Sequence, residues 1–151
     1  MTKMLDKYLE SVDPLVCEFF STLYWDTSPE KSRQPQIGTY GFLGAMKQLV
    51  SREFFGINTN GDSGIRCSFY DDDDNRLDKQ VLFAYDPADW EKREESFVFI
   101  DNSEFLQIIC NVLDIYTNLQ KKRWSSYPKI KEIEEKEIEI IKHILNINFV
   151  S

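Results

Sequence analysis

The densest group of reactive side chains in the sequence is a run of four consecutive aspartates, Asp71 to Asp74. Proteins bind calcium with spaced carboxylates, so the run can be tested against the EF-hand pattern. Counted from Asp71, the sixth position is Arg76 where that pattern needs glycine, and the twelfth is Leu82 where it needs glutamate. Because the turn residue and the bidentate ligand are both missing, we expect no metal ion and no cofactor here.

The other residue types that do chemistry are few. His143 is the only histidine, which restricts acid–base and zinc chemistry, and its place near the end of the last predicted helix indicates a structural role. Cys17, Cys67 and Cys110 fall in helical patterns or on the apolar side of a strand, so we expect buried, reduced thiols. Phosphate-binding glycine loops and the common hydrolase motifs do not occur. We therefore expect no catalytic residues, and a binding protein rather than an enzyme.

A second acidic segment, Asp86 to Glu95, surrounds Trp90 and follows the next predicted strand. Adjacent carboxylates repel one another, and a basic partner would offset this cost. Aromatic residues beside carboxylates are also common in binding surfaces, although two solvated turns would have the same composition. We expect both segments to form one end of the sheet and to bind a partner. The predicted partner-binding residues are Tyr70, Asp71, Asp72, Asp73, Asp74, Tyr85, Asp86, Asp89, Trp90, Glu91, Glu94 and Glu95.

Charge and composition limit the classes of partner. The chain carries 26 acidic and 18 basic residues, a net charge of −8, in 151 residues of which 42% are hydrophobic. This length and composition predict one folded domain, residues 1–151. The negative field repels nucleic acid and anionic membranes and attracts basic proteins, although acidity also simply aids solubility. With no secretory pattern in Met1 to Glu10 and no apolar run of membrane-spanning length, we expect a cytoplasmic protein.

Helical periodicity occurs in the first third of the chain. Met1 to Val12 has moderate helical character, and Asp13 followed by Pro14 predicts the start of a second helix. A loop is predicted from Trp25 to Gly38, and a third helix begins at Thr39. Its predicted buried positions are Phe42, Met46, Leu49, Val50 and Phe54.

Helical periodicity returns in the last third. Asp101 with Glu104 resembles a capping box, which predicts the start of a long amphipathic helix. Its predicted core positions are Phe105, Ile108, Ile109, Val112, Leu113 and Tyr116. A break at Trp124 to Pro128 precedes a final helix. Its predicted inward positions are Ile130, Ile133, Ile140, Ile141, Ile144 and Leu145.

The middle of the chain changes to strand periodicity. Gly56 to Gly64 is rich in glycine and asparagine and predicts a turn. Strands are then predicted at Ile65 to Tyr70, Val81 to Tyr85 and Phe97 to Ile100, joined by short polar connections. We therefore predict an α+β fold, in which a mainly antiparallel sheet of about three strands packs with N-terminal and C-terminal helices.

The order of these parts resembles a known family. GIRCSFYDDDD, then QVLFAY, then ESFVFIDNSEFLQIICNVLDIY resemble the immunity proteins of bacterial contact-dependent growth inhibition and related polymorphic toxin systems, in particular those that neutralise ribonucleases. The resemblance covers roughly Gly64 to Leu145. It implies tight binding, in the cytosol of the producing cell, to the C-terminal domain of a cognate toxin, whose active or substrate-binding surface is thereby blocked. It implies no direct contact with nucleic acid or membrane.

The resemblance does not identify contact residues, so the assignment of Asp71 to Asp74 to the interface is an electrostatic inference. A nuclease attracts a polyanion with a basic surface, and an acidic inhibitor can occupy the same field. Two alternatives stay open: an acidic adaptor or nucleic-acid mimic, and a small enzyme with a carboxylate site. The oligomeric state also stays open.

Overall fold

A computed structural model describes residues 3–29 and 41–150, which form five helices and four strands. In chain order these are α1 (Lys3–Leu9), α2 (Pro14–Thr27), α3 (Phe42–Val50), β1 (Phe55–Asn60), β2 (Ser63–Ser68), β3 (Gln80–Asp86), β4 (Ser96–Asp101), α4 (Asn102–Ser126) and α5 (Pro128–Phe149). The predicted α+β class is confirmed. Most of the predicted loop before Gly38, and the predicted cap at Thr39, lie outside the described residues.

The four strands form an antiparallel sheet in the order β1-β2-β3-β4, so each strand pairs with its neighbours in sequence. The three predicted strands are confirmed to within a few residues. The prediction that Gly56 to Gly64 is only a turn was wrong, because most of that segment is β1. The turn itself is confined to the link between β1 and β2, where Gly61 has a φ of +63° that a side chain would disfavour.

The core lies on one face of this sheet, which we call the inner face. Phe19 and Phe20 of α2 pack against Phe83 of β3, with ring centres 5.2 and 6.1 Å away. Phe105 of α4 lies 6.2 Å from the same ring, and Phe149 of α5 lies 4.8 Å from Phe105. The helices that the structure describes therefore cover the inner face and leave the opposite, outer face free of helices.

Helix starts follow the predictions in part. The carboxylate of Asp13 accepts the backbone N–H of Leu15 at 2.8 Å and Pro14 opens α2, as predicted. Asp101 is the N-cap residue of α4, but its side chain caps no backbone N–H, so the predicted capping box does not form. Its carboxylate instead accepts a long 3.4 Å hydrogen bond from Gln80 across the sheet.

The buried face of α5 differs from the prediction. Ile133 and Ile140 are 45% and 43% exposed, whereas Glu134 is fully buried. Glu134 is buried because Tyr116 donates a 2.6 Å hydrogen bond to it and Arg123 forms an ion pair with it. The inward positions of α5 are Glu134, Ile138, Ile141, Leu145 and Phe149.

Other predictions for single residues have mixed outcomes. Phe54 lies after the end of α3 and is 56% exposed, so it is not a core residue of that helix. His143 is exposed and precedes the last turn of α5. Cys67 is buried on the inner face as predicted, whereas Cys17 and Cys110 are only partly buried, and all three thiols are free.

Candidate protein-binding surface

An arginine on the outer face holds two acidic segments together. Arg66 lies in the middle of β2, directly opposite Ala84 of β3. Its Nε donates to Oδ2 of Asp86 at 2.8 Å, and its Nη2 donates to Oδ1 of Asp72 at 3.1 Å. Partial burial disfavours the charge of Arg66, but the bonds to Asp86 and Asp72 outweigh burial and raise the pKa of the guanidinium. This double ion pair joins the acidic turn, Asp71 to Asp74, to the sheet.

Asp71 shapes the acidic turn from within. Its Oδ1 accepts the backbone N–H groups of Asp73 and Asn75, both at 2.9 Å, and its Oδ2 accepts a bond from the Asn75 amide. These bonds, led by that from the backbone of Asn75, lower the pKa of the Asp71 carboxyl. Asp74 adopts a left-handed conformation with a φ of 60°, which aspartate tolerates better than most residues. Asp71 is therefore a structural residue of the turn.

The acidic turn lies beside an aromatic patch on the outer face. Phe97 and Phe99 of β4 are 63% and 40% exposed, and their rings meet edge to face with centres 5.8 Å apart. Together with the turn they line a recess of about 210 Å³, which we call the acidic–aromatic recess. The residues that line it are Arg66, Asp71, Asp72, Asp73, Leu82, Ala84, Glu95, Phe97 and Phe99. Rings beside carboxylates offer both apolar contact and charge attraction to a basic side chain.

We predicted that both acidic connections lie at one end of the sheet. They start instead from opposite ends. Gly64 pairs with Asp86 at one end of β2 and β3, and Ser68 pairs with Leu82 at the other. Consecutive connections in an antiparallel meander alternate between ends. Phe69 enters the core, but the acidic turn that follows it lies beside the outer face, where Asp72 reaches Arg66. Of the second connection, only Glu95 lines the acidic–aromatic recess together with the acidic turn.

Tyr85 and Glu91, both predicted to bind a partner, organise the second connection. Tyr85 is only 1% exposed on the inner face, and its hydroxyl donates to Oε1 of Glu91 at 2.6 Å. Oε2 of Glu91 accepts a short bond from Ser63, whose hydroxyl in turn accepts the Ala88 N–H at 3.0 Å. The bonds from Ser63 and then Tyr85 lower the pKa of Glu91. Both residues are thus engaged within the fold.

Arg93 joins the same connection to α2. Its guanidinium carbon lies 3.5 Å from the centre of the Tyr85 ring, and its two terminal nitrogens donate to Glu18 at 2.9 and 2.7 Å. The bonds to Glu18 raise the pKa of Arg93 despite some burial. The chain leading into β4 is therefore held against the start of α2.

The remaining predicted residues are exposed but scattered. Trp90 is 61% exposed and lies over the β1–β2 turn, where its ring is 3.6 Å from the position that a Gly61 Cβ would take. Asp89 and Glu94 are exposed on the same connection. Tyr70 is 49% exposed and forms an isolated bridge with Arg76 beside the acidic turn. Only part of the predicted set therefore forms one surface.

Sequence reasoning missed Phe97, Phe99 and Arg66 as members of this surface. No polar residue alternates with the two phenylalanines, so the predicted strand from Phe97 to Ile100 has no obvious exposed face. Strand geometry gives one signal that these rings are exposed. Residues two apart in a strand share a face, so Phe97 and Phe99 lie on the face opposite Val98 and Ile100. No sequence signal shows that Arg66 bridges Asp72 and Asp86.

Comparison of the chain with protein-family models, with curated proteins and with solved structures returned no match. In residues 3–29 and 41–150, no group of three or more histidine, cysteine, aspartate or glutamate side chains is arranged so that it could hold a metal ion. Within the same ranges, no helix is both long enough and apolar enough to cross a lipid bilayer.

Proposed function

We propose that this chain is an immunity protein that binds the C-terminal domain of a cognate bacterial toxin, a nuclease of the ribonuclease type, and covers its active or substrate-binding surface. The observation that carries the proposal is the double ion pair of Arg66 with Asp72 and Asp86. It holds carboxylates against the exposed rings of Phe97 and Phe99, so that charge and apolar area are presented together before any partner arrives. Preorganisation of this kind reduces the entropic cost of binding.

A basic partner fits the charge of this surface. Asp73, Asp74 and Glu95 are exposed carboxylates on or beside the acidic turn, in a chain of net charge −8. A nuclease has a basic substrate surface because it must attract a polyanion, and carboxylates can take the place of phosphates there. Such an inhibitor works in the cytosol of the cell that makes the toxin, and itself contacts neither nucleic acid nor membrane.

The two alternatives have less support. A nucleic-acid mimic needs rows of free carboxylates, but Asp71 is engaged in its own turn and Asp72 is paired with Arg66. A carboxylate enzyme needs a pair of acids facing substrate in a closed pocket. Here the acids line a recess beside exposed phenylalanines, an arrangement that is typical of a protein interface.

Co-expression tests the proposal directly. The proposal requires a neighbouring gene that encodes a toxin; the C-terminal domain of that toxin is expressed under an inducible promoter, with and without the protein described here, and growth and ribosomal and transfer RNA integrity are followed. We expect growth and intact RNA only when this protein is present, together with a stable complex on size-exclusion chromatography. Toxicity that persists despite folded, equally expressed protein would refute the immunity function. RNA degradation by this protein alone would instead support the enzyme alternative.

A further inference from the structure

The last strand of the sheet has one edge that no described strand covers. β4 pairs with β3 from Ser96 to Asp101, and no other described strand pairs with its far side. Natural edge strands usually carry a lysine, a proline or a bulge that prevents pairing with another chain. The middle of β4 reads FVFI and contains none of these. At the opposite edge, β1 has an irregular register between Asn58 and Asn60, so the two edges differ.

Two recesses border this edge, and Phe97 lines both of them. On the outer face lies the acidic–aromatic recess, which contains Phe97 and Phe99. Between α2 and β4 lies a second recess of about 330 Å³, lined in part by Leu15, Glu18 and Val98. Successive side chains of a strand point to opposite faces of a sheet. A strand added beside β4 would therefore place alternate side chains toward these two recesses.

We infer that the free edge of β4 binds an extended segment of a basic partner protein by strand addition. Backbone hydrogen bonds supply affinity in this mode, and alternate side chains supply selectivity. On the outer face, the unpaired carboxylates of Asp73 and Glu95 select lysine or arginine, whose stems pack on the phenylalanine rings. The identity of the partner as a toxin rests on the proposed function; the binding mode does not.

The charge of the chain also disfavours a second copy of it as the partner that pairs with the edge of β4. Pairing two β4 strands edge to edge would place two acidic turns and two Glu95 side chains on one continuous face. Each copy carries a net charge of −8, so this contact is repulsive. A basic segment reverses the sign of the same interaction.

Peptide probes test the inference on the full chain. Three peptides of about eight residues are compared: alternating lysine and valine, alternating lysine and proline, and alternating glutamate and valine. The second keeps the charge of the first but cannot pair as a strand, and the third keeps the strand propensity but reverses the charge. We expect only the lysine–valine peptide to bind and to protect β4 amides from hydrogen exchange. Equal binding of the lysine–proline peptide would overturn the inference, because charge alone would then explain binding.

A matched pair of variants locates the site. Phe97→Lys places a protecting lysine on the edge strand at a position that is 63% exposed, and Ile147→Lys makes the same change at a position on α5 that is 65% exposed. We expect Phe97→Lys to weaken binding of the lysine–valine peptide at least about tenfold and Ile147→Lys to leave it unchanged. Similar affinities for the two variants would overturn the inference. Concentration-dependent protection of β4 without peptide would also overturn it and identify a second copy as the occupant.

The same variants separate this inference from the proposed function. If Phe97→Lys folds normally and protects cells from the toxin as well as the unchanged chain does, the immunity function stands and strand addition at β4 is refuted. If the peptide binds as expected but the chain fails to protect against the toxin, strand addition stands and the immunity function is refuted.

Discussion

Arg66 and Asp72 form a 3.1 Å ion pair between the middle of β2 and the acidic turn, while the Nε of Arg66 binds Asp86. We expect Arg66→Gln to lower the free energy of unfolding by about 0.5–1 kcal/mol, a modest loss because the two carboxylates are largely exposed and water screens the pairs. Arg76→Gln is the matched control, since Arg76 pairs only with exposed Asp78. It should change stability by less than about 0.5 kcal/mol in the same urea denaturation experiment.

The acidic turn should weaken at low pH through Asp71. The pKa of Asp71 is lowered in the folded chain, so its contribution to stability is complete above the unfolded value of 3.8 and is lost as the pH falls through the lower folded value. We expect Asp71→Ala to remove this acid-dependent loss. Asp73→Ala should retain it, because Asp71 accepts only the backbone N–H of residue 73. Thermal unfolding at pH values from 2 to 6 would check both; an unchanged profile in Asp71→Ala would contradict the expectation.

The free carboxylates of the turn should act on the rate of association with the toxin. We expect Asp73→Asn with Asp74→Asn to slow association and flatten its salt dependence, with little change in dissociation, because steering by charge acts at long range. Asparagine also tolerates the φ of 60° at residue 74, so the turn should keep its shape. Glu132→Gln with Glu135→Gln removes the same charge from exposed positions of α5. Stopped-flow rates that fall equally in both double variants would show that only total charge matters.

Substitutions at Trp90 and Tyr85 should affect different properties, toxin affinity in the first case and stability in the second. We expect Trp90→Ala to speed dissociation of the toxin and to cost about 2 kcal/mol of affinity, as loss of an exposed aromatic anchor does. Tyr85→Phe should instead lower the melting temperature, because it removes the buried hydroxyl that donates to Glu91, and should leave affinity unchanged. Calorimetry and surface plasmon resonance on both variants provide the comparison. Unchanged affinity in Trp90→Ala would exclude this residue from the interface.

The buried carboxylate of Glu134 should contribute far more to the free energy of unfolding than the exposed carboxylate of Glu135. Glu134→Ala leaves Arg123 and the hydroxyl of Tyr116 without their shared acceptor inside the α4–α5 contact. We expect the free energy of unfolding to fall by about 3 kcal/mol, as when one partner of a buried ion pair is removed. Glu135→Ala changes the next, exposed residue and should cost less than about 0.5 kcal/mol. Similar values for the two variants would contradict the buried ion pair.

Alternation and capping residues predicted most of the fold. β2 follows the apolar alternation of the sequence, β3 and β4 are short apolar runs between polar connections, and Asp13 with Pro14 marks the start of α2. β1 was missed because only Phe55 and Ile57 point to the core, among glycine, asparagine and threonine. The buried face of α5 was misjudged because Glu134 needs partners from α4 that the local sequence does not reveal.

The sequence predicted only part of the candidate surface. Clustered carboxylates and aromatics can be read directly, but their relative positions depend on long-range contacts. The ion pair of Arg66 with Asp72 holds the acidic turn beside the sheet. The hydrogen bond from Tyr85 to Glu91 engages both of those residues within the fold. Neither contact follows from periodicity, because each depends on where a connection folds after the strands have formed.

The position of Phe149 in the core also makes closure of the core a late step in synthesis of this part of the chain. Its ring contacts Phe69 and Phe105, and the guanidinium carbon of Arg52 lies 4.7 Å from its centre. The sheet can assemble early on the ribosome because each strand pairs with its sequence neighbours, and such local contacts form fast. The aromatic cluster under it closes only after α5 has left the exit tunnel. A chain truncated within α5 would therefore lack the ring that packs against Phe69, Phe105 and Arg52.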